Sequence, residues 1–294
     1  MRGAEAGIRN DWETRLTGLE QDNPEWRSWL ALVRETAPLL HERAWAAPLA
    51  DEPAPPNRAA TPLLDGRQLR VDAGRVRDAL MRLAAASSHP SLAGYRSSPD
   101  DAVALVEATV RQDDVRAAAL AAAAETEAGV LATLGRLVAF PILVACGRQL
   151  AGSLPPHWPH GYCPICGAWP VLAELIGIDR ARRLRCGRCA CDWQVNWLHC
   201  PYCGENDHRQ LGALVPEGGP ETRKVETCDS CLGYVKSVTT LQPAPPIELL
   251  LCDLETVELD LVAADRGFVR PTGLGYPIDV RVAARRARSI LPFG

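Results

Sequence analysis

Eleven cysteines occur in the chain, and eight of them form four Cys-x-x-Cys pairs: Cys163/Cys166, Cys186/Cys189, Cys200/Cys203 and Cys228/Cys231. A turn of this kind brings two thiolates onto one ion while backbone amides point inward at the sulfurs, so four pairs make two tetrahedral sites. Nineteen residues separate the first pair from the second, and twenty-four separate the third from the fourth. Each interval suits one ribbon whose two knuckles face each other across a short β element. Sequential pairing then places Cys163, Cys166, Cys186 and Cys189 on one metal ion and Cys200, Cys203, Cys228 and Cys231 on a second, with an interleaved arrangement left open. Pro164 and Pro201 preset the turn in the first and third pairs. Gly167 and Gly204 follow those pairs, where a positive φ lets an amide approach sulfur.

An ion closed by four thiolates has no vacant position for a substrate water, which makes such sites structural or electron-carrying rather than hydrolytic. The sequence shows no glycine-rich phosphate loop, no motif-placed Ser-His-Asp set and no three-ligand metal site, and it reads as a non-enzyme with no catalytic residues. Two further classes stay open beside an adaptor or assembly factor: an iron-containing redox protein and a zinc-ribbon nucleic-acid binder. Charge opposes the last. The net charge is -4 with a pI near 5.9, whereas holding phosphate backbones needs a basic surface. Arg180, Arg182, Arg183, Arg185 and Arg188 make a local basic run, but from His160 to Lys236 nine Lys/Arg face nine Asp/Glu, so the segment balances to zero. The run is expected on a solvated loop or against an acidic protein surface.

The other candidates receive blander readings. Cys191 is a substitute ligand or a spare thiol on a strand. Cys146 and Cys252 are packed as small hydrophobes. His199 and His208 neighbour the second site as surface or supporting groups, since four thiolates already complete it.

These cysteines must be held by small ribbons of about forty residues, too small for an adequate hydrophobic core. Metal worth on the order of 10 kcal/mol would then supply much of their folding free energy. Short β-prone runs, Trp193 to Leu198 and Leu211 to Val215, lie between the knuckles. The preceding half reads as helical. Asn23-Pro24 marks a helix start before Trp26, Trp29, Leu30 and Val33, in a helix bent or ended near Pro38. Ala47 to Pro62 is a linker. Val76, Leu80 and Leu83 mark a helix, Ser98-Pro99 caps another, and Val115 to Ala124 continues in helical mode. A long apolar helix around Val130 to Leu154 is expected to kink or break at Pro141. Past the prolines of 242–246, Leu254 to Arg266 reads as one more helix stopped by Gly267. The division is thus a helical domain at 1–156, metal modules at 157–198 and 199–241, and a C-terminal helix and tail at 242–294.

The charged N-terminus lacks an early apolar run, and the apolar stretch Val130 to Cys146 falls short of the roughly 20 residues that cross a bilayer. A cytoplasmic protein without stable membrane insertion is expected. In a reducing compartment, eleven cysteines point to metal, redox chemistry or packing rather than a disulfide framework.

Taken together, Cys163-Pro-Ile-Cys166-Gly, Leu184-Arg-Cys186-x-x-Cys189 with Trp193, Cys200-Pro-Tyr-Cys203-Gly, and Glu226-x-Cys228-Asp-x-Cys231-x-Gly233-Tyr234-x-Lys236 resemble the formate dehydrogenase accessory protein (FdhE) family. The helix around Asp253 to Asp265 followed by Gly267-Phe268 is similar as well, so specific matching covers Tyr162 to about Phe268. The resemblance implies an α+β protein: an irregular helical domain, then two tandem rubredoxin-like, zinc-ribbon-like modules. It implies two metal ions, each bound by four cysteines, iron or zinc with iron favoured, and a chaperone of the catalytic subunit of a respiratory formate dehydrogenase. That subunit would be bound in the cytoplasm before export. A homodimer is kept open. Glu226, Asp229, Tyr234 and Lys236 are candidates for partner contact, although a strand terminus could carry the same residues for packing. The tail from Pro271, with its Arg281 to Arg288 segment, departs from the family.

Overall fold

A computed structural model describes residues 2–49, 60–216, 218, 222–271 and 273–285. The first half is a helical layer: α1 (Arg2–Asp22), α2 (Arg27–Leu39), α3 (Ala73–Ser87), α4 (Pro99–Arg111), α5 (Asp114–Ala123) and α6 (Ala128–Leu150). Side-chain caps set several starts. Ser98 accepts from the Asp101 amide at 3.1 Å, with Pro99 preset at the first helical position. Asp72 and Asp113 cap α3 and α5 in the same way. The Asn23 side chain does not cap; it donates back to the Leu19 carbonyl, and Pro24–Trp26 forms a 3-10 turn before α2 begins. Most of the linker, 50–59, lies outside the described residues.

Helix α6 is the axis of this layer. Of the kink or break expected at Pro141, there is no break: the helix runs through it, because every residue from Leu137 to Cys146 is buried and neighbouring helices hold the turn that loses a hydrogen bond. With its 3-10 extension to Ser153 it is long and apolar enough to span a bilayer by composition, longer than the uninterrupted apolar run suggested. Its most apolar window is nevertheless 72% buried within the protein, as a core helix is.

The second half is built on one six-stranded sheet ordered β4-β3-β2-β7-β6-β5. Its strands are β2 (Pro170–Ile176), β3 (Ala181–Cys186), β4 (Asp192–Gln194), β5 (Leu211–Leu214), β6 (Arg223–Cys228) and β7 (Tyr234–Thr240). The extended run expected to reach Leu198 is therefore cut to three residues. Each module contributes an antiparallel three-strand unit, and β2 and β7 join the units in parallel, with Leu172 opposite Lys236 and Ile176 opposite Thr240. The modules are thus halves of one sheet rather than separate beads. Gly161 lies so close to the third knuckle that an added Cβ would fall 1.6 Å from the Pro201 carbonyl oxygen, which leaves room for glycine alone.

The single late helix expected from Leu254 is two: α7 (Pro246–Glu255) and α8 (Val257–Asp265), divided at Thr256. Gly267, at φ +83°, follows α8 as anticipated. Beyond it, β8 (Arg281–Ala284) pairs in parallel with β1 (Gln68–Val71) next to α3, which fastens part of the arginine-rich tail to the helical half; residues 286–294 lie outside the described residues. The first knuckle is fastened there too, since its Pro164 and Ile165 carbonyls accept from the Leu63 and Leu64 amides at 2.8 and 3.0 Å.

Candidate metal centres

The knuckles sit where strands begin or end. Cys163 and Cys166 precede β2, Cys186 closes β3 and Cys189 follows it, and the second module repeats this with Cys200, Cys203, Cys228 and Cys231 around β5 and β6. The two sets pair sequentially, and within each set all sulfurs lie within 4.8 Å of one another. Contacts across the first set are 3.5 Å for Cys163 to Cys189 and 3.4 Å for Cys166 to Cys186; across the second, Cys200 to Cys231 and Cys203 to Cys228 are both 3.7 Å. Four sulfurs at about 2.3 Å from a tetrahedral ion are separated by roughly 3.8 Å, so both sets fit such an ion. Backbone amides of Ile165 and Arg188 point at the Cys163 and Cys186 sulfurs, each at 3.4 Å, and offset part of the thiolate charge.

All four knuckles share one backbone device. The residue after the second cysteine takes a positive φ: Gly167 at +73°, Ala190 at +58°, Gly204 at +80° and Leu232 at +57°. Three of these positions also send an amide back to the first cysteine's carbonyl, from Gly167, Ala190 and Gly204 at 2.9, 3.0 and 3.0 Å. Sequence reasoning found the two glycines. It had no signal for Ala190 and Leu232, whose side chains hide the same geometry.

The centres differ in exposure. All four cysteines of the first are buried, whereas Cys203 and Cys231 of the second reach solvent. Burial pushes the Cys163 and Cys189 thiols up, and it raises Cys200 and, to about 11, Cys231. In the absence of an ion these groups hold their protons, which a metal must displace. Cys191 is more than a spare thiol on a strand: it lies against the first centre, where hydrogen bonds from Cys163 and Cys189 hold it down to about 5. Cys146 is buried in α6, and Cys252 is half-buried in a small cluster with Leu172, Val238 and Leu249, both as expected of packed hydrophobes. His199 and His208 stand outside both four-sulfur sets.

Three of the four expected partner-contact residues turn inward. Glu226 accepts from Arg182 across the module boundary, Tyr234 donates to Asp260 at 2.7 Å, and Lys236 is fully buried; Asp229 alone is exposed. Lys236 Nζ lies 2.7 Å from both Asp253 and Asp260, and Arg270 meets Asp253 at 2.6 Å, so a buried ionic latch ties β7 to α7 and α8. Burial works against the Asp253 carboxylate, but Arg270 and Lys236 hold it below the usual aspartate range. The arginine run is likewise mostly internal. Arg185 pairs with fully buried Glu174, Arg183 with Asp192, and Arg188 donates to the Thr109 and Val110 carbonyls at the end of α4. The solvated loop or acidic-surface contact expected of this run gives way to internal pairing, because sequence alone does not say which strand face a side chain takes.

No protein-family model matches the chain. The chain is similar to the FdhE homolog of Stutzerimonas stutzeri, 40% identical over 111 residues, 37% of this chain and 35% of that relative. It is similar to FdhE of Escherichia coli at 32% identity over 37% of this chain and 35% of that relative. It is similar to the FdhE homolog of Rhizobium meliloti at 28% over 68% of this chain and 63% of that relative. These matched stretches span between about a third and just under two thirds of the relatives' own lengths. The crystal structure of the FdhE protein from Pseudomonas aeruginosa superposes with a TM-score of 0.57 at 25% identity, covering 91% of this chain and 94% of that one.

Proposed function

We propose, from its likeness to FdhE proteins, that the chain is a member of that family and a non-enzymatic maturation factor for a respiratory formate dehydrogenase. It binds the catalytic subunit of that enzyme in the cytoplasm before export. The observation that carries this reading is the pair of complete four-sulfur sets built into one sheet. An ion held by four thiolates offers no site for substrate, so it stiffens a surface rather than turning over a reactant. Cys163, Cys166, Cys186 and Cys189 would hold the first ion and Cys200, Cys203, Cys228 and Cys231 the second. Iron or zinc suits this donor set, with iron favoured by the family resemblance. The division into a helical domain at 1–156, modules at 157–198 and 199–241, and a tail from 242 belongs to the same proposal.

The test is co-purification of the metal-loaded chain with a tagged formate dehydrogenase catalytic subunit, with elemental analysis of the anaerobic complex. Retention of the subunit with about two ions per chain is expected; a loaded chain that retains none would sink the reading. The exposed sulfurs Cys203 and Cys231 favour one other reading, an iron-based electron carrier. Reversible bleaching of a coloured sample by dithionite, with no retention of the subunit, would select it.

A further inference from the structure

The two modules repeat one strand plan. In each, a strand follows the first knuckle (β2, β5), a second runs antiparallel to it and ends at the second knuckle (β3, β6), and a third follows that knuckle (β4, β7). In the sheet order β4-β3-β2-β7-β6-β5 the modules succeed one another by translation rather than by rotation. The outer edge of β2 is therefore filled by a parallel strand, β7. Its counterpart, the outer edge of β5, has no strand on it among the described residues.

That open edge is guarded only by its shortness, four residues. Proteins also blunt free edges with charge, proline or a bulge, yet β5 reads Leu211-Gly212-Ala213-Leu214, with Gly212 and Ala213 exposed. One face of this corner is covered, since Leu214 packs with Val225, Leu259 and Ala263 of β6 and α8. The other face holds a depression of about 260 Å³ lined by Leu211, Ala213, Lys224, Trp197 and Leu198. Trp197 and Leu198 are 50% and 55% exposed, and Lys224 Nζ stands 5.7 Å from the Trp197 ring centre with no carboxylate partner among the described residues.

We propose that the β5 edge takes up an extended segment of the client polypeptide as a seventh strand, parallel to β5 as β7 is to β2. Alternate apolar side chains of that segment enter the depression beside Trp197 and Leu198, and an acidic residue meets Lys224. Main-chain hydrogen bonds give such an addition its affinity, and the alternating side chains give its selectivity. This assignment rests on the maturation-factor reading and names the surface that carries it out.

The test uses the full-length, metal-loaded chain with a photocrosslinking residue, Ala213→benzoylphenylalanine, co-expressed with the tagged catalytic subunit. A control substitution is placed at Ile178, which is 97% exposed on the β2–β3 turn. The expected result is a crosslink from position 213 alone, mapping to one extended apolar stretch of the subunit that contains an acidic residue. Lys224→Glu and Trp197→Ala, each retaining both ions, should weaken subunit retention at least ten-fold. If the unsubstituted chain retains the subunit while position 213 gives no crosslink and both variants bind normally, the edge is not the docking site and the maturation-factor reading stands. A crosslink from position 213 to a second copy of this chain overturns the proposal in favour of a dimer contact. If the unsubstituted chain retains no subunit, the functional reading itself fails and takes this proposal with it.

Discussion

At Leu232 a branched side chain sits at φ +57°, in the left-handed region where an L-residue is held at a cost of roughly 1–2 kcal/mol. The side chain is 53% exposed, so little packing compensates for the strain. Leu232→Gly should therefore stabilise the metal-loaded protein by up to about 1 kcal/mol, after the extra freedom of glycine in the unfolded chain is subtracted. Urea midpoints at fixed metal concentration measure this, and a lower midpoint for the variant would contradict it. The same scale shows what residue types can and cannot announce. The eight cysteines declared themselves because thiolates at this spacing have few other uses, and the two glycines declared the turn geometry. Ala190 and Leu232 adopt that geometry without a residue type that signals it, whereas Cys191, two residues after Cys189, was open to a substitute-ligand reading from its spacing alone.

Strands and helices of the second half are joined by the charge cluster around Lys236. Removing the cation leaves Asp253 and Asp260 facing each other with only Arg270 between them. Breaking a buried pair on one side typically costs about 3–5 kcal/mol, so Lys236→Ala should loosen α7 and α8 from β7. Faster proteolytic cleavage between Thr240 and Asp265, with the knuckles still loaded, would register it; unchanged cleavage would refute it. The pH dependence follows from Asp253. Its folded pKa is depressed, so the contribution of its charge is complete above the unfolded value, near 4, and is lost as pH falls through the lower folded value. The difference in unfolding midpoint between the parent chain and Asp253→Asn should hold steady from pH 7 to about 5 and shrink below about 4. A difference that grows on acidification would have the wrong sign. Helix α3 was legible from apolar spacing and α4 from its Ser98-Pro99 cap, while the alanine-rich run of α5 read only as continuing helix, its separate start at Asp113 unseen. The continuity of α6 through Pro141 was not, because a proline reads as a break unless the burial around it is known. The fusion of the modules was hidden for a similar reason, since no local pattern states that β2 pairs with a strand sixty residues later.

Across the whole molecule the two centres stand in unlike surroundings. Cys163, Ile165, Cys166, Cys186, Cys189 and Trp193 belong to the same core cluster as Leu80, Leu134 and Ile142 of the helical half, whereas the second centre is partly open to water. A chelator should thus remove metal in two phases. The first should release about one ion per chain and expose Cys203 and Cys231 to alkylation with little change in helical circular dichroism. The slower phase should coincide with loss of helical signal. Metal leaving both centres at one rate, or helicity falling with the first ion, would contradict this picture. The sequence correctly placed a helical half before a cysteine-rich half, but it treated the ribbons as equivalent. Their inequality comes from contacts such as those of Leu63 and Leu64 with the first knuckle, which link positions a hundred residues apart. A tiling rule also follows from the sheet order. Because one unit succeeds the next without turning back on itself, a third copy of the ribbon spliced in after residue 241 would lay its last strand along β5. The pattern contains no stop of its own, so its length is set by how many copies the gene carries.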